Sequence, residues 1–544
     1  MKTRLVLSFF LLTCIITSNA QTASFQIAIE PVNIDGLGGV QSFAYGQHDG
    51  KWLIIGGRLD GLHRRQPFAS FNAAGNNLQL IVIDPVNLKK WSTPLTSLTT
   101  NLQEQFSATN MQFHQDGKYL YIAGGYGFSA TQDDHTTYGK LAAVDVANTI
   151  DAIIHSRPFE KYIRQISDTN FAVTGGHLKK INDTYYLVGG QKFIGRYNPM
   201  GPDHGPGFFQ QYTDQVRKFK IADDGINIRI THYQAITDAL AFHRRDYNVA
   251  PQILPNGEQG LMLFSGVFQP AADIPFLNSV TIDNNSYTIN HAFAQYYNHY
   301  HCAMLPMHSQ RNNVMHNVFF GGIAQYYDSS GVLVQNSDVP FVKTIAAVTR
   351  DQAGTLSEYK LPVEMPALLG AGAELILLPS IPQYANEVIK FDEISSDTTL
   401  VGHIYGGIAS TAPNIFWVNT GKESSASSQL FKVYLVKNIS AGIGALNTQS
   451  NNGLQMQVYP NTADGIFSIH FFLTGNSPVE LQIADADGKL IKKELTEGLI
   501  AGQNTLYKKI KKIKAGSAYW ITLKTANTQA TQKIIIEPLN NLIG

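Results

Sequence analysis

Cysteine is almost absent from this chain. Two occur in 544 residues, and Cys14 lies in an apolar leader, which leaves Cys302 alone in the remainder. One thiol cannot form an internal disulfide, so stability has to come from a buried core even in an oxidising compartment. A surplus of either charge is also missing, since 41 Lys+Arg face 41 Asp+Glu. That balance supplies no global field for a polyanion, and it excludes nucleic-acid binding unless a local basic patch provides it. Beyond the leader no stretch reaches the roughly 20 apolar residues of a membrane helix, so no transmembrane segment is expected. The catalytic spellings GxSxG, HExxH, CxxC and the P-loop do not occur. Aromatic residues are plentiful, with 25 Tyr and 29 Phe against 4 Trp, a composition that suits many pleated strands.

The leader has the grammar of a secretory signal. Lys2 and Arg4 precede the apolar run 5–16, and small residues end at Ala20. Residues 1–20 are therefore expected to be removed after export.

The rest of the chain repeats itself. An apolar strand ending in a glycine pair recurs at 52–57 (WLIIGG), 119–125 (YLYIAGG), 185–190 (YYLVGG), 261–266 (LMLFSG), 318–322 (VFFGG) and 403–407 (HIYGG). The second glycines stand 56 to 85 residues apart, which means a constant unit carrying loops of variable length. A small, partly apolar segment precedes each glycine strand, and a polar loop with an alternating strand follows it, as in 78–84 (LQLIVID). A fourth short strand usually closes the unit, giving four strands in each of six units. The sixth unit lacks that strand, while the alternating segment 25–32 (FQIAIEPV) stands spare ahead of the first. Pairing the two removes an unpaired sheet edge.

These glycine pairs resemble the hallmark of kelch repeats, over most of residues 25–438. The resemblance implies an all-β fold, a six-bladed kelch-type β-propeller over 21–438 closed by the strand 25–32. Ser265 stands where the fourth unit would have its first glycine, and Trp91 is the one survivor of the family's fourth-strand Trp.

After a Ser-, Ala-, Gly- and Asn-rich linker at 439–453, residues 454–544 change register to short strands and tight turns. Tyr459-Pro460-Asn461, Asp464-Gly465, the Asp487-Gly488-Lys489 turn, Gly502 with Asn504, Gly516 with Tyr519 and the strand 533–536 resemble the type A C-terminal sorting domain of the type IX secretion system, a small β-sandwich. The resemblance implies secretion or display on the outer cell surface, with the secretion machinery as partner for 454–544. The run Lys508, Lys509, Lys511, Lys512 and Lys514 lies inside this segment, where lysines on a solvated strand edge guard against mispairing. No nucleic-acid partner is inferred from it. Asp485-Ala-Asp487-Gly488 reads as a hairpin turn, since the later ligands of a calcium loop are missing.

In a propeller the loop after the second strand and the head of the innermost strand share one face, so candidate ligand-binding residues gather at one channel mouth. The insertion loops bring Arg64, Arg65, Arg196 and His204. The strand heads bring His243, Arg244, Arg245, Asp246 and Tyr247, then His299 and His301. Charged groups are costly to bury unpaired, which places them at a wet mouth, although Arg244 or Arg245 with Asp246 can instead tie neighbouring blades together. Forked arginine donors suit an anionic or polyhydroxylated ligand. His299 and His301 share one side of an extended strand, which is compatible with a metal, but no third ligand is fixed nearby, and no metal or other cofactor is assigned. The expected function is a secreted or surface binding module for a glycan or protein. The alternative is a carbohydrate-active enzyme at the same mouth, for which kelch-like propellers offer two precedents, a galactose-oxidase-like copper enzyme and a six-bladed sialic-acid mutarotase.

Overall fold

The computed structural model describes residues 25–198, 208–329, 332–437 and, with short gaps, 455–536. The leader 1–20, the linker 439–453, His204 and Lys511, Lys512 and Lys514 lie outside the described residues. The protein is all-β, with short helices such as Thr100–Phe106 and Val146–Ile154 between strands. It divides into two compact units, Met1–Ala441 and Gly442–Gly544.

Among the described residues of the first unit, six sheets share one plan of four antiparallel strands. The first sheet runs Ala44–His48, Lys51–Ile55, Gln79–Asp84, Lys89–Pro94, each strand paired with the next. Sheets beginning at Gln112–Asp116, His177–Ile181, Asn248–Ile253 and Ala303–Ser309 repeat the order. The sixth runs Leu368–Leu377, Thr398–Ser410, Leu430–Lys437, and its outer strand is Phe25–Val32, in register from Phe25 opposite Lys437 to Val32 opposite Leu430. Alternation explains the packing: Phe25 and Ile27 are buried with Phe431, Val433 and Leu435, while Glu30 reaches Lys432 and Tyr434 at the surface.

The glycine pairs set how sheet meets sheet. The second glycine of each pair donates its N–H to the carbonyl just ahead of the next sheet: Gly57 to Ala108, Gly125 to Val173, Gly190 to Arg244, Gly266 to His299 and Gly322 to Leu369, at 2.7–3.3 Å. Gly407 of the sixth sheet donates to Val40, ahead of the first, at 2.9 Å. A side chain at the first glycine would occupy the same space, since a Cβ on Gly124 would lie 2.0 Å from the Val173 oxygen.

Two insertions add local structure. Loops of the second and third units combine into an extra four-stranded sheet, Tyr126–Ser129, Asp134–Thr137, Gln191–Gly195 and Phe208–Tyr212. After the sixth inner strand, Ile389–Lys390 pairs in parallel with Met307 and His308 of the fifth sheet. The second unit has a three-stranded and a five-stranded sheet sharing one core, with Val458, Ile469 and Phe471 from one and Leu481, Ile521 and Ile534 from the other. Lys508 of the basic run pairs with Glu494 at 2.5 Å.

If contact rather than backbone conformation makes the glycine pair obligatory, two Gly→Ala substitutions should differ sharply. Gly257 has φ +84° with nothing within 4 Å of a built Cβ, and Gly124 has φ +64° with the Val173 oxygen in the way. Gly257→Ala is expected to cost about 1–2 kcal/mol and Gly124→Ala upwards of about 4 kcal/mol, measured by denaturant unfolding. Equal losses would show that the positive φ alone demands glycine.

Candidate functional site

The heads of the inner strands meet in a cycle of main-chain hydrogen bonds. Asn110 N–H donates to Ser42, Gly175 to Asn110, Asp246 to Gly175, His301 to Asp246, Gly372 to His301, and Ser42 back to Gly372, at 2.8–3.3 Å. Ser42, Asn110, Asp246 and Gly372 take positive φ to do so. With the backbone satisfied by its neighbours, the side chains at and just beyond the cycle are left to line a cavity of about 40 Å³: Ser42, Asn110, His177, Asp246, His301 and Glu374. That is room for a water molecule or a small ion.

Inside this cavity His301 Nε2 lies 3.1 Å from Glu374 Oε1, a carboxylate–imidazole pair. The His177 ring stands edge-on to His301 at 5.3 Å. Its Nε2–H donates to the Tyr247 carbonyl at 2.6 Å, and burial holds its pKa well below the ordinary value, so the ring is neutral. Arg245 forms an ion pair with Asp246 and donates Nε–H to the Tyr212 hydroxyl at 3.0 Å. Its guanidinium also lies 5.1 Å from the Phe268 ring centre.

Above the strand heads, the first insertion loop folds against the loops of the third and sixth units. Asn419 Nδ2 donates to the Leu62 carbonyl at 2.6 Å, and Arg196 Nε to Ser70 O at 2.8 Å. His63 packs between Phe71 and Tyr197. Burial and the facing Arg65, Arg245 and Arg58 push its pKa down to about 4. Arg65 stacks over Trp417 at 4.1 Å. It has no carboxylate partner among the described residues, and its buried Nε has no hydrogen-bond acceptor. Arg64 lies beside Gly421.

Several expected mouth residues are placed elsewhere. Arg244 is wholly buried; its guanidinium donates to the carbonyls of Ala241, Ser265 and Asn278 and to the Asn278 side chain. Tyr247 is also buried, with its hydroxyl on Val188 O at 2.8 Å. His243 stacks on Tyr212 at 3.8 Å and meets Asp214 at 2.7 Å. His299 and His301 do not share a side: His299 is buried, donating from Nε2 to Gln295 O at 2.8 Å and accepting the Gln325 N–H on Nδ1 at 3.0 Å. The strand begins only at Ala303, so the period-two argument does not reach either histidine. Among the described residues no group of three His, Cys, Asp or Glu is placed to hold a metal. Burial raises the Cys302 thiol to about 12, which keeps it protonated.

Sequence reasoning passed over His177, Lys179, Glu374, Tyr212, Tyr300 and Trp417. Glu374 carried a signal, as the one charge in the otherwise apolar strand Leu368–Leu377.

His299 gives the fold a pH dependence. Burial lowers its pKa from 6.5 to about 4, so the folded state favours the neutral ring whose Nδ1 accepts from Gln325. The unfolded chain takes the proton first; this stabilisation is whole above pH 6.5 and is lost as pH falls towards about 4. Stability should therefore decline across that window, with a slope shallower by up to about 1.4 kcal/mol per pH unit in His299→Gln, read from unfolding curves at several pH values. An unchanged slope would remove His299 from the account.

Three comparisons with known proteins bear on this chain. A solved structure described as "Structure of YjhT" aligns at 10% identity and TM-score 0.39, covering 72% of this chain and 97% of that one. No curated protein matches significantly. Residues 457–537 match the family model "Secretion system C-terminal sorting domain"; and no helix among the described residues is long and apolar enough to cross a membrane. The C-terminal segment is therefore a type IX secretion sorting domain, and it addresses the protein to the cell surface or the medium.

Proposed function

We propose that residues 25–437 are the six blades of a kelch-type β-propeller within a 21–438 domain, and that after export this domain binds a carbohydrate bearing an anionic group at the loop-covered mouth. The observation that carries the reading is Arg65, a cation held flat against Trp417 without a carboxylate to neutralise it. Leaving a partly buried guanidinium unpaired is costly, and an anionic ligand would offset that cost through charge-assisted hydrogen bonds. Tyr197, Tyr212 and Tyr300 supply hydroxyls and ring faces around Arg245, which suits a polyhydroxylated body.

A glycan array followed by titration calorimetry on the full chain tests this. Acidic glycans should bind more weakly as salt rises, and Arg65→Ala should lose about tenfold or more of that affinity while neutral glycans are unaffected. A flat signal across acidic and neutral sugars would overturn the reading.

The His301–Glu374 pair favours a second reading, a carbohydrate-active enzyme in which the imidazole, oriented by the carboxylate, moves a proton to or from a sugar at the loop mouth by way of a water molecule in the small cavity. A mutarotation assay on acidic sugars checks it, with His301→Gln expected to lower the rate about a hundredfold. Equal rates in both proteins would eliminate that role.

A further inference from the structure

A second, larger cavity of about 470 Å³ lies at the tails of the inner strands, away from the insertion loops. Its size falls within the range of small-molecule sites. One wall is the end of the first inner strand with Tyr45 and Gln47. Another is the segment after the sixth inner strand, from Pro379 to Glu387. That segment is fixed in place: the Tyr384 hydroxyl meets His308 Nδ1 at 3.0 Å, Asn386 Nδ2 donates to Gln252 O at 3.1 Å, and Ile389 pairs with Met307. The cavity is thus preformed, and Pro251, Met304, Pro306, Leu375 and Leu377 give it an apolar floor.

Its charges are arranged unusually. Lys179 and Glu387 both face the cavity; among the described residues neither side chain makes a hydrogen bond or a close ion pair, and the Lys179 charge reaches Glu387 only through space. Glu374 is held on one oxygen by His301 and borders both cavities. Lys179 is half-buried and Glu387 stands exposed at the rim; a simple anion would meet Lys179 alone, and a neutral sugar would meet neither charge. Complementing both requires two opposite charges on one molecule, separated by a body that tolerates the apolar floor.

We propose that this cavity is a binding site for a small zwitterion, with an oxyanion set against Lys179 and an ammonium against Glu387 and Glu374, as in a short peptide with both ends free. The site is separate from the loop mouth and does not depend on the carbohydrate reading. Titration calorimetry on the full chain tests it, using trialanine and trileucine, their N-acetylated and C-amidated forms, and glucose. At least one free peptide should bind, and blocking either end should weaken it about tenfold or more. Lys179→Met should abolish the penalty for C-amidation and Glu387→Gln the penalty for N-acetylation. Both variants should melt as the parent does, because neither side chain holds another part of the fold. Arg65→Ala should leave peptide binding unchanged. Glucose or blocked peptides binding as well as free ones, no binding by any peptide, or full affinity in Lys179→Met would each overturn the proposal.

Discussion

Each sheet of the first unit is tied to the next by a backbone hydrogen bond that passes through space only a glycine leaves empty. The N–H comes from the second glycine of the pair, and the first glycine brings the chains close enough for the bond to form. At Gly406 the built Cβ would lie 2.3 Å from the Val40 oxygen, and at Gly321 2.2 Å from that of Leu369. The rest of the unit follows from this contact. It fixes the distance between sheets, which lets Leu53, Val82 and Leu120 from neighbouring sheets pack in one core, and it holds the strand heads where their main chains can join the hydrogen-bond cycle. Among the described residues the one thiol is buried and there is no disulfide, so these junctions and the cores between sheets carry the stability.

The fourth junction shows what happens when the rule is broken. Ser265 takes the first glycine's place at φ +54°, and the following bond, Gly266 to His299, is 3.3 Å against 2.7 Å at the third and fifth junctions. The serine hydroxyl is spent on Phe276 O at 2.8 Å, and the Ser265 carbonyl is gripped by Arg244. The guanidinium also lies 4.1 Å from the Phe276 ring centre, and burial lowers its pKa to about 9. A buried arginine without a carboxylate is expensive, but apart from the bond to Ala241 O its guanidinium hydrogen bonds go to Ser265 and Asn278, on either side of the altered junction. Arg244 is therefore a support for this irregular link, while its neighbour Arg245 turns towards the axis.

That contrast explains what the sequence could and could not disclose. The glycine strands were legible because their chemistry is local: an apolar run, then two residues without side chains, repeated. The sorting segment was legible through its turns. The direction of each charged residue at a strand head was not, because Asp246 takes positive φ and His299 to His301 precede the regular strand, so alternation fails there. Arg244, Arg245, His299 and His301 look alike in sequence, and their roles separate only when register is known. Lys179 and Glu374 lay within regular strands where alternation does hold, and attention to the heads hid them. The sheet formed jointly by the loops of the second and third units, and the packing of Arg65 on Trp417 across more than 350 residues of sequence, had no local signature at all.

The heads of the inner strands carry polar side chains, whereas the cavity at their tails has an apolar floor. Asp246, His301 and Glu374 line a cavity of about 40 Å³ at the strand heads, enough for a water molecule and far too little for a sugar or a peptide. Glu374 borders both this cavity and the larger one at the strand tails, and His301 meets it at 3.1 Å. A charge brought up against Glu374 from the tails changes the field at His301 by Coulomb's law over a few ångströms in a low-dielectric setting, where such interactions are weakly screened. The imidazole is thus a group through which occupancy at the strand tails can be felt towards the loops, as is His177 through Lys179, which also borders both cavities, and the coupling requires no movement of the sheets.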